Sequence, residues 1–137
     1  MNTIKLRDDG DLRLPGLHDA TLISVDHRGD LSLVFETQDK QELTITAIKE
    51  SKPFVWAAGN FIPSIISCGT LIAGDLREIE AKFHGTDRVV YHEVRPYLPD
   101  EGCIMTFLCC YGCLFAITAT GKNQEEIFRW SIRNPSA

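Results

Sequence analysis

The sequence predicts a mainly β domain, an antiparallel two-layer β-sandwich or a strongly curved sheet with little helix. Three observations carry this. Apolar and polar side chains alternate with a period of two along residues 17–27, 31–37 and 43–48, the spacing of a half-buried strand and not of a helix. Short polar stretches separate these segments, Arg28-Gly29-Asp30 first and residues 38–41 next, so consecutive strands reverse as hairpins. Residues 103–110 and 113–120 flank Tyr111-Gly112 and are apolar on both faces, as central strands of a two-layer structure are.

The elements follow in chain order. In residues 17–27, Ala20, Leu22, Ser24 and Asp26 fall on one face, with Thr21, Ile23 and Val25 on the other. Leu31, Leu33 and Phe35 alternate with Ser32, Val34 and Glu36, and Leu43, Ile45 and Ala47 with Thr44, Thr46 and Ile48, so the three segments make a meander. Residues 50–60 contain Pro53 and Gly59 and read as a loop with a short helical turn, carrying Phe54 and Trp56 as packing aromatics. The apolar run 61–73 reads as a buried strand or strand pair interrupted at Cys68-Gly69. Residues 75–83 alternate with one polar face and read as a surface strand; residues 88–97 form a further strand that Pro96 and Pro99 end. A two-residue connection at Tyr111-Gly112 sets Cys110 against Cys113 and puts Ile104, Thr106 and Leu108 on the side of Phe115 and Ile117. The tail 123–132 fits a helix capped at Asn123, with Glu125 and Glu126 in its first turn, or a final strand; strand is the reading taken for 127–132.

At 137 residues the chain fits one domain, residues 1–137, with 44% hydrophobic and 24% charged residues, a globular and not a disordered balance. The net charge of −5 concentrates in residues 1–50, where ten acidic side chains face six basic ones. Nucleic acid and anionic membrane are poor partners for such a surface, which lacks the clustered cations that phosphate contacts require. A basic protein would be steered toward it. Residues 1–10 lack the apolar core of a secretory leader, and the run 61–74 is broken by Pro63 and too short to span a bilayer. The expected localisation is cytoplasmic. Five cysteines, an odd number with four crowded at 103, 109, 110 and 113, suit packed thiols in a reducing compartment better than a disulfide framework.

Catalytic chemistry finds little support. Cys110-x-x-Cys113 has the spacing of half a zinc knuckle, but alternation sends Cys103 and Cys109 to the opposite face, so no metal site and no cofactor is expected. His18-Asp19 has the residue types of a general-base pair, yet neighbours on a strand diverge; Asp19 is expected to serve a local turn and His18 to bond within the fold. His84, His92 and Asp87 lack helical metal-ligand spacing. Neither a G-x-S-x-G elbow nor a phosphate-binding glycine loop occurs.

The run Leu17-His18-Asp19-Ala20-x-Leu22-x-Ser24-Val25, then Leu31-x-Leu33-x-Phe35, resembles the opening of a loose group of small bacterial β-proteins, some of them immunity-protein-like. Asn60-Phe61-Ile62 and Tyr111-Gly112 entering residues 114–119 agree with that group in order, so the resemblance spans about residues 14–120. It implies a two-layer β fold and a non-catalytic role, occluding a toxin through an acidic surface. The expected function is therefore protein binding, possible on this sequence through Asp8, Asp9, Asp11, Asp26, Asp30 and Glu36, with a basic toxin as partner. Two alternatives stand beside it: a self-associating domain that pairs an open strand edge into a homodimer, and a small-ligand or metal site near His18, Asp19 and His92.

Overall fold

The computed structural model describes residues 1–58, 62–82, 92–110 and 114–135, the side chains of Ala58 and Leu114 excepted. Nine strands form among them: Asn2–Thr3 (β1), Thr21–Asp26 (β2), Leu31–Glu36 (β3), Glu42–Ala47 (β4), Phe54–Ala58 (β5), Ser64–Asp75 (β6), Glu101–Cys109 (β7), Leu114–Thr120 (β8) and Phe128–Arg133 (β9). They join antiparallel in one sheet of order β1-β9-β4-β3-β2-β6-β7-β8-β5. Short helices accompany them, among them Leu76–Lys82 (α1) and Gln124–Ile127 (α2).

The clean alternation of β3 and β4 survives intact. Leu33 pairs with Ile45 and Phe35 with Leu43, and these side chains with Leu31 and Ala47 are buried on one face. The β2 segment departs from strict alternation. Leu22 opposes Phe35 but Ser24 opposes Val34, so Ile23 is an extra residue, pushed out to 45% exposure. Val25 then packs against the core and Ser24 faces out, the reverse of the faces expected past Leu22. The strand also starts late, because residues 17–20 turn, with Asp19 in the left-handed region at φ 64°.

β6 is the hinge of the architecture. It pairs with β2 only at Ser64 and Ile65, and with β7 from Ile66 to Asp75. Where β2 leaves, the N-terminal segment takes over the vacated edge. The Ile66 N–H donates to the Ala20 carbonyl, Asp19 N–H to Ile66, Leu12 N–H to Gly69 and Leu71 N–H to Gly10, all at 2.8–2.9 Å. The sheet thereby folds back on itself. Phe35 of β3 meets Phe107 of β7 with ring centroids 5.8 Å apart, and Phe107 stacks on Phe115 of β8 at 4.6 Å. One buried cluster contains residues of both halves, so the expected mainly β, antiparallel fold is the one observed, and of the two forms weighed it is the single curved sheet and not a sandwich of two sheets.

Four expectations need correction. Residues 75–83 are not a surface strand: Asp75 Oδ1 accepts the Glu78 N–H at 2.8 Å and the Asp75 N–H donates back to Glu78 Oε1 at 3.4 Å, a capping box that opens α1. Ile79 of that helix is buried with Val94 over Ile72, Ile104 and Ala116, covering the outer face of the second half. The strand expected over 88–97 is instead helical at 92–94 and a 3-10 turn at Arg95–Tyr97, where Pro96 sits in the first turn; 88–91 and Phe83 lie outside the described residues. The loop expected at 50–60 holds its helical turn at Lys49–Ser51, but the apolar residues after Pro53 form β5, paired to β8. Finally, Phe107 opposes Phe115 and Ile104 opposes Thr118, one residue away from the expected register. A one-residue slip exchanges faces, so Phe115 and Ile117 share the core with Met105 and Phe107, and Ile104 turns outward. Tyr111, Gly112 and Cys113 lie outside the described residues. At the tail both alternatives coexist: Asn123 Oδ1 accepts the Glu125 N–H to cap α2, and β9 follows directly.

Candidate functional site

The acidic residues singled out in the sequence occupy three places. Asp26 and Asp30 flank the turn between β2 and β3, whereas Glu36 stands at the other end of β3, opposite Thr21 and Glu42. A strand of this length separates the two ends by roughly 17 Å. Asp8, Asp9 and Asp11 belong to the N-terminal segment, with Asp11 bridged to Thr70 of β6. Most of these carboxylates already hold a cation in cis. Arg28 grips Asp26 through its side chain and its backbone N–H, which holds that carboxyl down at about 2. Arg13 pairs with Asp11 and, at 3.7 Å, with Asp9; Lys40 meets Glu36 at 3.3 Å. Asp30 Oδ1 accepts the Lys49 N–H at 2.9 Å and ties the β2–β3 turn to the end of β4.

His18 and Asp19 do meet. The turn at 17–20 lets neighbouring side chains converge, and His18 Nε2 lies 3.5 Å from Asp19 Oδ2, against the divergence expected of strand residues. The other ring nitrogen, Nδ1, bonds the Ser67 carbonyl oxygen at 2.7 Å, the bond within the fold that the sequence suggested for His18. Leu12, Leu14, Leu17, His18, Ser67 and Cys68 line a cleft of about 250 Å³ here. Cys68 is exposed in it, beside the bulge in β6 between Ile66 and Cys68. The imidazole faces acceptors with both nitrogens, a carbonyl and a carboxylate. His92 does not line this cleft; it is exposed, two residues before Val94 in the layer over the outer face of the second half. His84 and Asp87 lie outside the described residues.

The remaining described thiols divide by face. Cys103 and Cys109 are buried inward on β7, and burial pushes the Cys103 thiol up to about 12 while its S–H donates to the Gly121 carbonyl oxygen at 3.2 Å. Cys110 is exposed. Among the described residues no group of three or more His, Cys, Asp or Glu is placed to hold a metal ion, and no helix is long and apolar enough to cross a membrane.

The sequence reading missed an aromatic pair on the sheet edge. β5 ends the strand order, bonded to β8 on one side. Its Val55 and Ala57 lean on the main core and Trp56 on the outer cluster. Phe54, 39% exposed, stacks on Tyr97, 52% exposed, with centroids 4.4 Å apart. The available signal was the uncharged run Phe54-Val55-Trp56-Ala57-Ala58 after Pro53, long enough for a strand. Nothing in the sequence links Tyr97 to it.

No family model matches the chain, and neither a curated protein nor a solved structure matches it.

Proposed function

We propose that the chain is a non-catalytic protein-binding domain whose docking element is β5. The observation that carries this reading is a strand of five uncharged residues that lies at the edge of the sheet among the described residues, its exposed Phe54 stacked on the exposed Tyr97 of the 3-10 turn. An edge presents unpaired backbone donors and acceptors, and edges that must stay free are blunted by charge, proline or a bulge within the strand. β5 contains none of these between Phe54 and Ala58. An extended segment of a partner can add to it as a further strand, with Phe54 and Tyr97 as the aromatic anchor that supplies most of the binding energy in such contacts. The resemblance to immunity-type proteins suggests a toxin as that partner. The acidic route expected for it is the weaker ground, since the carboxylates are dispersed and mostly paired with cations of this chain.

Three baits compared in parallel in the native host test this: the wild type, F54K/Y97K, and D8N/D9N/D11N. The reading expects one partner retained by the wild type and the acid variant and lost by the edge variant. Loss from the acid variant alone would move the interface to the N-terminal segment and end the case for β5. Light scattering distinguishes the self-associating alternative: a dimer that F54K/Y97K returns to monomer means a second copy occupies the same edge.

A further inference from the structure

Two tripeptides of one pattern, a cation, a proline and an aromatic, converge at the start of β5. They are Lys52-Pro53-Phe54 and Arg95-Pro96-Tyr97, distant in the chain, and the stacking of Phe54 on Tyr97 at 4.4 Å brings them side by side. Each proline fixes a backbone torsion between its cation and its aromatic, so both cations are held within two residues of the stacked rings. Lys52 and Arg95 are exposed, and neither has a carboxylate within 4.0 Å among the described residues. The exposed cations Arg13, Arg28, Lys40, Lys122 and Arg133 each meet one. We infer, on the reading of β5 as the docking strand, that its occupant is an extended peptide segment with carboxylates at one end, received by Lys52 and Arg95, and uncharged residues along the rest.

The placement of charge supports this occupant. Phe54 to Ala58 carry none, so an added strand meets the two cations beside Phe54 and an uncharged edge beyond it. The carboxylates nearest in sequence do not answer them. Glu50 lines a cleft with Thr120, Gly121 and Glu126, on the α2 side, and Glu93 makes no ion pair with Arg95. A second copy of the chain does not supply the missing charge either. Residues 53–63 contain no carboxylate, so pairing β5 antiparallel with itself leaves both cations unanswered. Single-stranded nucleic acid fits less well than a peptide: bases stack on open aromatic faces, whereas Phe54 and Tyr97 cover each other, and a net charge of −5 opposes a phosphate chain. Rim charges of this kind choose the partner and fix its orientation more than they add affinity.

Three fluorescein-labelled synthetic peptides test this by anisotropy at low salt. Each has one half of alternating valine and threonine; the other half is glutamate in the first, glutamine in the second and lysine in the third. The glutamate peptide is expected to bind with Kd below about 1 mM. The lysine peptide is expected to bind at least about fivefold more weakly, a preference that narrows as salt rises. K52E/R95E is expected to reverse the order of the two, a result that misfolding cannot produce, and F54A/Y97A to weaken all three peptides together. Equal binding of the glutamate and lysine peptides, or the wild-type preference kept in K52E/R95E, would overturn the charge assignment and leave β5 standing as the docking strand. Binding of none of the three would overturn both, because the edge itself would then be closed. A labelled oligothymidylate held by the wild type and released by K52E/R95E would give the two cations to nucleic acid and overturn the peptide occupant.

Discussion

Asp26 and Cys103 carry perturbed ionisations with opposite causes. At Asp26 the Arg28 side chain and backbone N–H favour the charged form, so the carboxyl titrates at about 2, below its ordinary value of 3.8. The folded state therefore binds fewer protons than the unfolded chain between those values, and whatever the pairing contributes is present above pH 3.8 and lost as the pH falls through 2. Because the pair is exposed, its weight in stability is slight, and the direct readout is the carboxyl carbon resonance of Asp26. R28A is expected to return its midpoint to the ordinary carboxylate range; an unmoved midpoint would mean that Arg28 is not the cause. Cys103 is shifted by burial alone, which keeps it a thiol. Iodoacetamide at pH 8 should label Cys68 and Cys110 in the native protein and spare Cys103 until denaturant is added, as peptide mass spectrometry would report. At this scale the sequence yielded residue types but not vectors. His18 and Asp19 were visible as a pair, and only the positive φ of Asp19 brings their ends together.

Elements were legible where one local pattern stood unopposed. β3 and β4 follow the period of two without exception. Residues 75–83 carried two patterns at once: polar alternation, and Asp75-x-x-Glu78 with Leu76 and Ile79 three apart. The second wins because the capping box satisfies backbone groups locally and the helix buries Ile79, whereas a surface strand there would need a neighbour to bond. The β7–β8 register was beyond local reading, since one residue more or less in a turn is invisible in an apolar run on both faces. Gly102 now offers a test of that ladder. It opposes Thr120, and a Cβ there would stand 2.7 Å from the Ala119 carbonyl oxygen and 2.7 Å from Pro99 Cγ. The carbonyl cannot retreat without straining the ladder, so G102A is expected to destabilise by about 1–3 kcal/mol in urea unfolding. A neutral outcome would mean that the β7–β8 pairing is looser at this end than the register implies.

For the molecule as a whole, the sequence made the mainly β class readable and left its closure hidden, because the junction of β2 with β6 and the strap of residues 10–20 along β6 join segments some 40 to 60 positions apart. That closure determines how the protein should unfold. The sheet has a first half around β3 and β4 and a second around β7 and β8, but their apolar faces form one core, and Phe107 lies at its centre between Phe35 and Phe115. Each half happens to carry one tryptophan: Trp130 on β9, whose Nε1–H donates to the Thr3 carbonyl oxygen at 3.1 Å, and Trp56 on β5 at the far end of the sheet. Single-tryptophan variants W56F and W130F thus report on opposite halves of the same molecule. If the two layers stabilise each other, their fluorescence transitions in denaturant coincide, as a single cooperative unit requires. F107A should then lower both midpoints together, by an amount on the order of 3–5 kcal/mol for truncating a fully buried phenylalanine. A Trp130 transition that stays put while Trp56 moves would show the halves to be separately stable, and the shared core would be a contact between two units and not the basis of one.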